Sequence, residues 1–145
     1  MKTRKGFTLV EILLVVLILG VLAAMVIPQF SGATTEAKLS SLRSSLQRVR
    51  GQIVYYKFQH NDLPPASGGE TGADFVRRLT TQTDANGDAG SDFGPYLQAI
   101  PKNVLNDLDS VRIDGAAAGA NINGWRFDTA TGEFQADDSA QHAAF

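Results

Sequence analysis

Glu11 is a carboxylate set in an otherwise apolar run: from Phe7 to Ile27 the chain is interrupted only by Thr8, Glu11 and Gly20. A charge inside an apolar helix costs about 2.5 to 3.5 kcal/mol at the centre of a bilayer, and less near its edge, so it calls for a partner. No basic residue lies between Phe7 and Gln29. The cations within reach are Lys2, Arg4 and Lys5 and, if the chain is cut between Gly6 and Phe7, the new α-amino group of Phe7. Phe7 and Glu11 are separated by one helical turn, which lets amine and carboxylate pair within a chain or between neighbouring chains.

Other chemistry-bearing residues are sparse. Asp84, Asn86, Asp88 and Asp92 alternate as calcium ligands do, but the glycine after the third ligand and the closing glutamate are missing, and Pro95 stands where the latter belongs. A turn-rich surface loop is the stronger reading. Asp137 and Asp138 lie in a polar tail that reads as exposed. His60 and His142 read as solvated and accompany no placed nucleophile or glycine-rich phosphate loop, so an enzyme is not expected. With no cysteine there is no disulfide, thiolate metal site or thiol nucleophile.

These residues must be positioned by two very different parts of the chain. Of the 24 residues from Phe7 to Phe30, 19 are hydrophobic, whereas 43 of the 115 after Phe30 are. A helix over the apolar run is about 30 Å long, the thickness of the bilayer's hydrocarbon core. The basic leader places the N-terminus in the cytoplasm and everything after Pro28 outside. A secretory signal peptide fits poorly, because the run is long and Ala23-Ala24 makes a weak cleavage site.

Pro28 and Gly32 predict a kink or loosening. Beyond them Leu39, Leu42, Leu46, Val49, Ile53 and Tyr56 recur every three or four residues, predicting an amphipathic continuation to Gln59, about 80 Å of helix in all. Arg43, Arg48 and Arg50 lie largely off this stripe. Without an aromatic stacking series they make a weak case for DNA, and are expected to face the acidic heads of neighbouring subunits. Residues Ser31 to Gln59 carry five basic side chains against Glu36, and His60 to Phe145 five against thirteen acidic ones.

Gly6-Phe7-Thr8-Leu9-Val10-Glu11, after a short basic leader and before a long apolar run, resembles the prepilin cleavage and methylation signature of type IV pilins and type II secretion pseudopilins. The resemblance implies that Gly6 and Phe7 flank the leader-peptidase cut, that Phe7 carries the N-methyl group, and that Glu11 meets a neighbour's amine and sets assembly register. Gly94-Pro95-Tyr96-Leu97, with Ile100-Pro101-Lys102-Asn103 and Asn106, is similar to a segment of major pseudopilins, with Val104 in place of a proline. That family often binds calcium near its C-terminal loops, although these aspartates match no ligand pattern of it.

In the head, 61–72 reads as loop, Asp74 to Thr81 as a short helix with Phe75, Val76 and Leu79 on one side, and Val111 to Asp114 as a strand. Gly124 to Asp128 and Gly132 to Ala136 read as a hairpin, whose Trp125, Phe127 and Phe134 cover the helical stripe. The expected fold is α+β: a long N-terminal helix, half transmembrane and half amphipathic, on a small antiparallel sheet, as in pilins. The organisation is leader 1–6, transmembrane and assembly helix 7–30, amphipathic continuation 31–59 and head 60–145.

The function so implied is structural. It is a filament subunit held in the inner membrane with its head outside, then polymerised in a periplasmic pseudopilus or a cell-surface filament. Its partners would be further copies of itself, a prepilin peptidase, an inner-membrane assembly platform, minor pilins or pseudopilins and, before assembly, lipid. The small cysteine-free head and the Gly94-to-Asn106 segment favour the type II secretion pseudopilus. A type IV pilus pilin for adhesion, motility or DNA uptake is the alternative, and a membrane-anchored binding domain that never polymerises is another. No cofactor is expected beyond the calcium considered above.

Overall fold

The computed structural model describes residues 6–145, and of 26–33 the helical backbone alone. In chain order it contains α1 (Leu9–Gln59), α2 (Gly72–Thr80), β1 (Val111–Ile113), β2 (Trp125–Phe127), β3 (Phe134–Ala136) and α3 (Ala140–Ala143). The chain divides into two compact units, the first ending at Ala37 and the second running from Lys38 to Phe145. The architecture is α+β, a long N-terminal helix with a small three-stranded sheet.

In the first unit, the described side chains of α1 form no core. Its large apolar side chains from Leu9 to Met25 are all at least 46% exposed. Among the described residues no helix is long and apolar enough to cross a membrane. The expected span 7–30 extends past Met25 into residues whose side chains are not described. The kink expected at Pro28 and Gly32 likewise lies outside the described residues.

The second unit is built on the amphipathic stripe. Leu42, Leu46, Val49, Ile53 and Tyr56 are buried, since a spacing of three and four keeps them on one face. Against them pack Phe75 and Leu79 of α2, Val111 of β1, Trp125 and Phe127 of β2, and Phe134 and Ala136 of β3. Phe75 stacks on Phe134 with centroids 5.8 Å apart and lies 5.0 Å from Phe127. Each such side chain contributes about 1.5 to 3 kcal/mol on burial, so this cluster dominates the head's stability.

Helix α2 starts two residues earlier than the apolar pattern predicts, because Thr71 and Asp74 form a reciprocal cap. The Thr71 hydroxyl accepts from the Asp74 amide, and the Asp74 carboxylate accepts from the Thr71 amide at 3.0 Å. Gly72 opens the helix against β1, where a Cβ would collide with the Val111 carbonyl.

The sheet order is β1-β2-β3. The hairpin forms as expected, β2 and β3 pairing antiparallel with Phe127 opposite Phe134. The expectation of an all-antiparallel sheet is corrected: β1 pairs with β2 in parallel, Val111 opposite Trp125 and Ile113 opposite Phe127. Parallel neighbours need a connection that carries the chain back along the strand. Residues 114–124 supply it, turning through positive φ at Asp114, Gly115, Gly119 and Asn121.

Candidate processing and assembly site

The Gly6–Phe7 peptide precedes the first helical turn. Gly6 is exposed and nothing lies within 4 Å of a Cβ built on it, and Phe7 is 77% exposed. This bond therefore lies in accessible, non-helical backbone, the form a peptidase cleft takes. The first turn is closed by Thr8 and Glu11. The Glu11 amide donates to the Thr8 hydroxyl at 3.2 Å, and the Thr8 amide donates to Glu11 Oε2 at 3.5 Å. This reciprocal pair satisfies donors that a helix N-terminus leaves free, at the end where the helix dipole favours a negative charge. In the uncut chain the nitrogen of Phe7 is an amide, and the carboxylate turns to the Thr8 N–H instead. The Thr-x-x-Glu spacing was the available signal for this cap, and the apolar pattern overshadowed it.

Beyond the cap, Leu9, Ile12, Leu13 and Val16 continue an exposed apolar surface. Apolar area of this extent marks a surface meant for lipid or protein.

The stem arginines do not act as a set. Arg50 donates from Nε to the Phe134 carbonyl at 2.9 Å, and the Arg43 guanidinium lies 4.2 Å from the centroid of the Phe145 ring. Both make contacts within their own head, and Arg43 stays exposed beside Phe145. Arg48 is exposed.

Both histidine expectations are corrected as well. His60 is fully buried and stacks on Tyr56 at 3.7 Å. Its Nδ1 donates to the Tyr56 carbonyl, an acceptor only, so Nε2 is left to accept from the Thr83 hydroxyl. His142 pairs with Asp138 and Ser139. The tail is not a free end, since α3 covers part of the sheet and Phe145 packs against the core.

The segment from Gly94 to Asn106 is an anchor for the head. Leu97 and Ile100 are buried, Trp125 donates to the Pro101 carbonyl at 2.7 Å, and Tyr96 donates its hydroxyl proton to Gln59 at 2.6 Å. Asn103 is fully buried and donates to the Gly124 carbonyl and the Asp138 carboxylate while accepting from the Leu105 amide.

Neither acidic group fits calcium. Asp84 Oδ1 accepts from the amides of Asn86 and Asp88, while Asp88 and Asp92 are exposed. Asp137 is buried, correcting the exposed reading, and its carboxylate is occupied by a guanidinium and three amides. Burial alone would raise its pKa, but Arg112 and these amides outweigh it and hold it below the usual carboxylate range. Among the described residues no three acidic or histidine side chains converge as a metal site.

The family model for the prokaryotic N-terminal methylation motif matches residues 1–27. The chain is similar to the type II secretion system core protein G of Klebsiella pneumoniae, 36% identical over 69 residues, 48% of this chain and 49% of that one. With the core protein G of Vibrio cholerae serotype O1 the likeness is 25% over 143 residues, 86% of this chain and 94% of that one. The first 27 residues thus carry the prokaryotic N-terminal methylation motif. The chain is also similar to the type IV major fimbrial protein FimA of Dichelobacter nodosus, 32% identical over 92 residues, 60% of this chain and 59% of that one. The matches to several pseudopilin relatives span about half of their length. No solved structure matches.

Proposed function

We propose that this chain is a structural subunit of a type IV-type filament, in the role of a major pseudopilin of a type II secretion pseudopilus, and not an enzyme. The observation that carries the reading is the junction at residues 6–11. An accessible Gly6–Phe7 bond, a carboxylate one turn later and an exposed apolar helix follow one another there. In this reading a prepilin peptidase cuts after Gly6 on the cytoplasmic side and methylates Phe7, and the apolar half of α1 spans the inner membrane with the head outside. Assembly then moves that half from lipid into contacts between copies, delivered by an inner-membrane platform together with minor pseudopilins.

Cutting frees the Phe7 amine, and methylation leaves its charge. Glu11, one turn away, can then exchange the Thr8 amide for the amine of a neighbouring copy. Used in this way the ion pair fixes axial register, the best-attested role of a buried charge pair. Removal of Lys2, Arg4 and Lys5 brings the net charge from -2 to -5 and removes the charges that hold the N-terminus at the cytoplasmic face.

The likeness to a type IV major fimbrial protein favours a second reading, a pilin of a cell-surface fibre. Deleting the protein from its host separates the two. Loss of protein export with no surface fibre supports the pseudopilus, and loss of a fibre seen by electron microscopy supports the pilin. Mass spectrometry of the mature N-terminus tests both against a non-polymerising anchor: a methylated Phe7 is expected, and an intact leader would sink the proposal.

A further inference from the structure

The connection between the parallel strands β1 and β2 is folded around one guanidinium. Arg112, in the middle of β1, uses all five of its N–H donors. Nε and Nη2 form a fork on Asp137, at 2.9 Å to Oδ2 and 2.7 Å to Oδ1. Nη1 donates to the carbonyls of Asp114 and Ala116, both at 2.7 Å, and Nη2 also donates to the carbonyl of Ala117 at 2.9 Å. The amides of Gly119, Ala120 and Asn123 close on the same Asp137 carboxylate from the other side. The carboxylate is fully buried and the Arg112 side chain is 14% exposed.

A carboxylate and several main-chain carbonyls of one loop are the oxygen set a hard cation takes. Here the set converges on a cation that the sequence itself supplies. The charge is balanced, one guanidinium to one carboxylate, and the carboxylate of Asp114, whose carbonyl Arg112 also holds, is committed to the amide and hydroxyl of Thr129, both at 2.7 Å. A divalent ion would have to displace the guanidinium or share its oxygens against charge repulsion.

We propose that Arg112 is the resident cation of the 114–123 loop, standing where a calcium ion would otherwise organise it, and that this head folds and holds its loop without divalent metal. The proposal concerns the head alone and stands whichever filament the chain builds. It also explains the parallel pairing, because the loop must lie back along β1 for its carbonyls to reach a side chain of that strand.

Trp125, the chain's single tryptophan, is buried beside this loop on β2, so its fluorescence reports melting of the head in the full chain in detergent micelles. Wild-type protein is expected to melt at the same temperature in EDTA and in excess calcium, to within about 1 °C. A rise of several degrees with calcium, which an ion bound to the folded state gives, would overturn the proposal. Arg112→Ala in EDTA is expected to melt at least about 10 °C lower, since it strands a buried carboxylate. Calcium is expected to recover part of that loss by entering the vacated oxygens. A variant that melts like wild type in EDTA, or one that calcium leaves unchanged, would show that the loop has no cation position. If the variant does not fold, the wild-type comparison still decides.

Discussion

Arg50 fastens α1 to the edge of the sheet through the main chain of Phe134, donating from Nε to its carbonyl at 2.9 Å. The register explains why that carbonyl is available. Next to the turn the Asp128 amide donates to the Glu133 carbonyl, so the neighbouring pair Phe127 and Phe134 point their polar groups away from each other. The Phe134 carbonyl therefore faces the open edge of β3, and an arginine from the stem takes the place of a fourth strand.

Arg50→Met should destabilise the head by about 1.5 to 3 kcal/mol, the range for a hydrogen bond from a charged donor. Arg48→Glu should leave head stability within about 0.5 kcal/mol, as exposed substitutions do. Thermal melts of the two variants, followed by Trp125 fluorescence, check the contrast. Arg48→Glu is then the clean variant for asking whether stem charge contributes to contacts between copies.

Glu11 caps its own helix, and the proposed function gives it a second role, pairing with a neighbour, that can be separated from the first. Glu11→Gln keeps a side chain that can accept from the Thr8 amide but has no charge, whereas Thr8→Val removes the hydroxyl half of the cap and keeps the charge. Both should insert in the membrane. Filament yield in a reconstituted or cellular assembly assay should collapse for Glu11→Gln and survive in Thr8→Val. The reverse order would mean that the cap, not the charge, governs assembly.

Asn103 is the polar centre of the segment from Gly94 to Asn106, and replacing it by leucine leaves the Leu105 amide without its partner, while the Gly124 carbonyl keeps the Asp137 amide. An orphaned buried group costs about 1 to 3 kcal/mol. Asn103→Leu should therefore lower the melting temperature despite the apolar side chain it adds, and protease nicking of the 114–124 connection should speed up. Unchanged stability would show that water replaces the lost partner.

The head should be acid-labile in a defined window. Hydrogen bonds from the Thr129 side chain and amide hold Asp114 below the usual carboxylate range, and the Thr131 amide and Arg126 do the same for Asp128. Arg112 and the loop amides overcome burial to lower Asp137. A carboxylate with a lower pKa folded than unfolded stabilises the fold at pH above its unfolded value, and that stability is lost as pH falls through the folded value. Melting temperature should therefore vary little from neutral pH to about 5, then fall below about pH 4, where unfolded aspartates begin to bind protons. Arg112→Ala should make that fall shallower, because without the guanidinium burial raises the folded pKa of Asp137 and less acid-sensitive stability is left to lose.

Tyr56 sets the alkaline limit. Burial beside His60 pushes its hydroxyl up to about 12. A pKa raised in the folded state gives stability that is present below the unfolded value, near 10, and lost as pH rises through the folded one. Melts at increasing pH should show stability declining above about pH 10, and Tyr56→Phe should flatten that decline.

Periodicity made the stem of this protein legible. The stripe from Leu42 to Tyr56 is buried as its spacing requires, because a helix repeats every 3.6 residues whatever it packs against. The hairpin aromatics were legible for the analogous reason, alternation along a strand. The motif from Gly6 to Glu11 was readable because it is carried by a few consecutive residues, as a helix cap is. Four outcomes needed the folded chain: the parallel pairing of β1, burial of His60 and Asp137, the use of Arg43 and Arg50 within their own head, and the convergence of Arg112 on the 114–123 loop. Each joins residues distant in sequence through hydrogen bonds or ring contacts that leave no periodic trace. The sequence alone determined the amphipathic stem and the hairpin strands, because each carries its own period. Tertiary structure decided which charges are spent inside the head, because a charge is committed only when the fold brings its partner within a few ångströms.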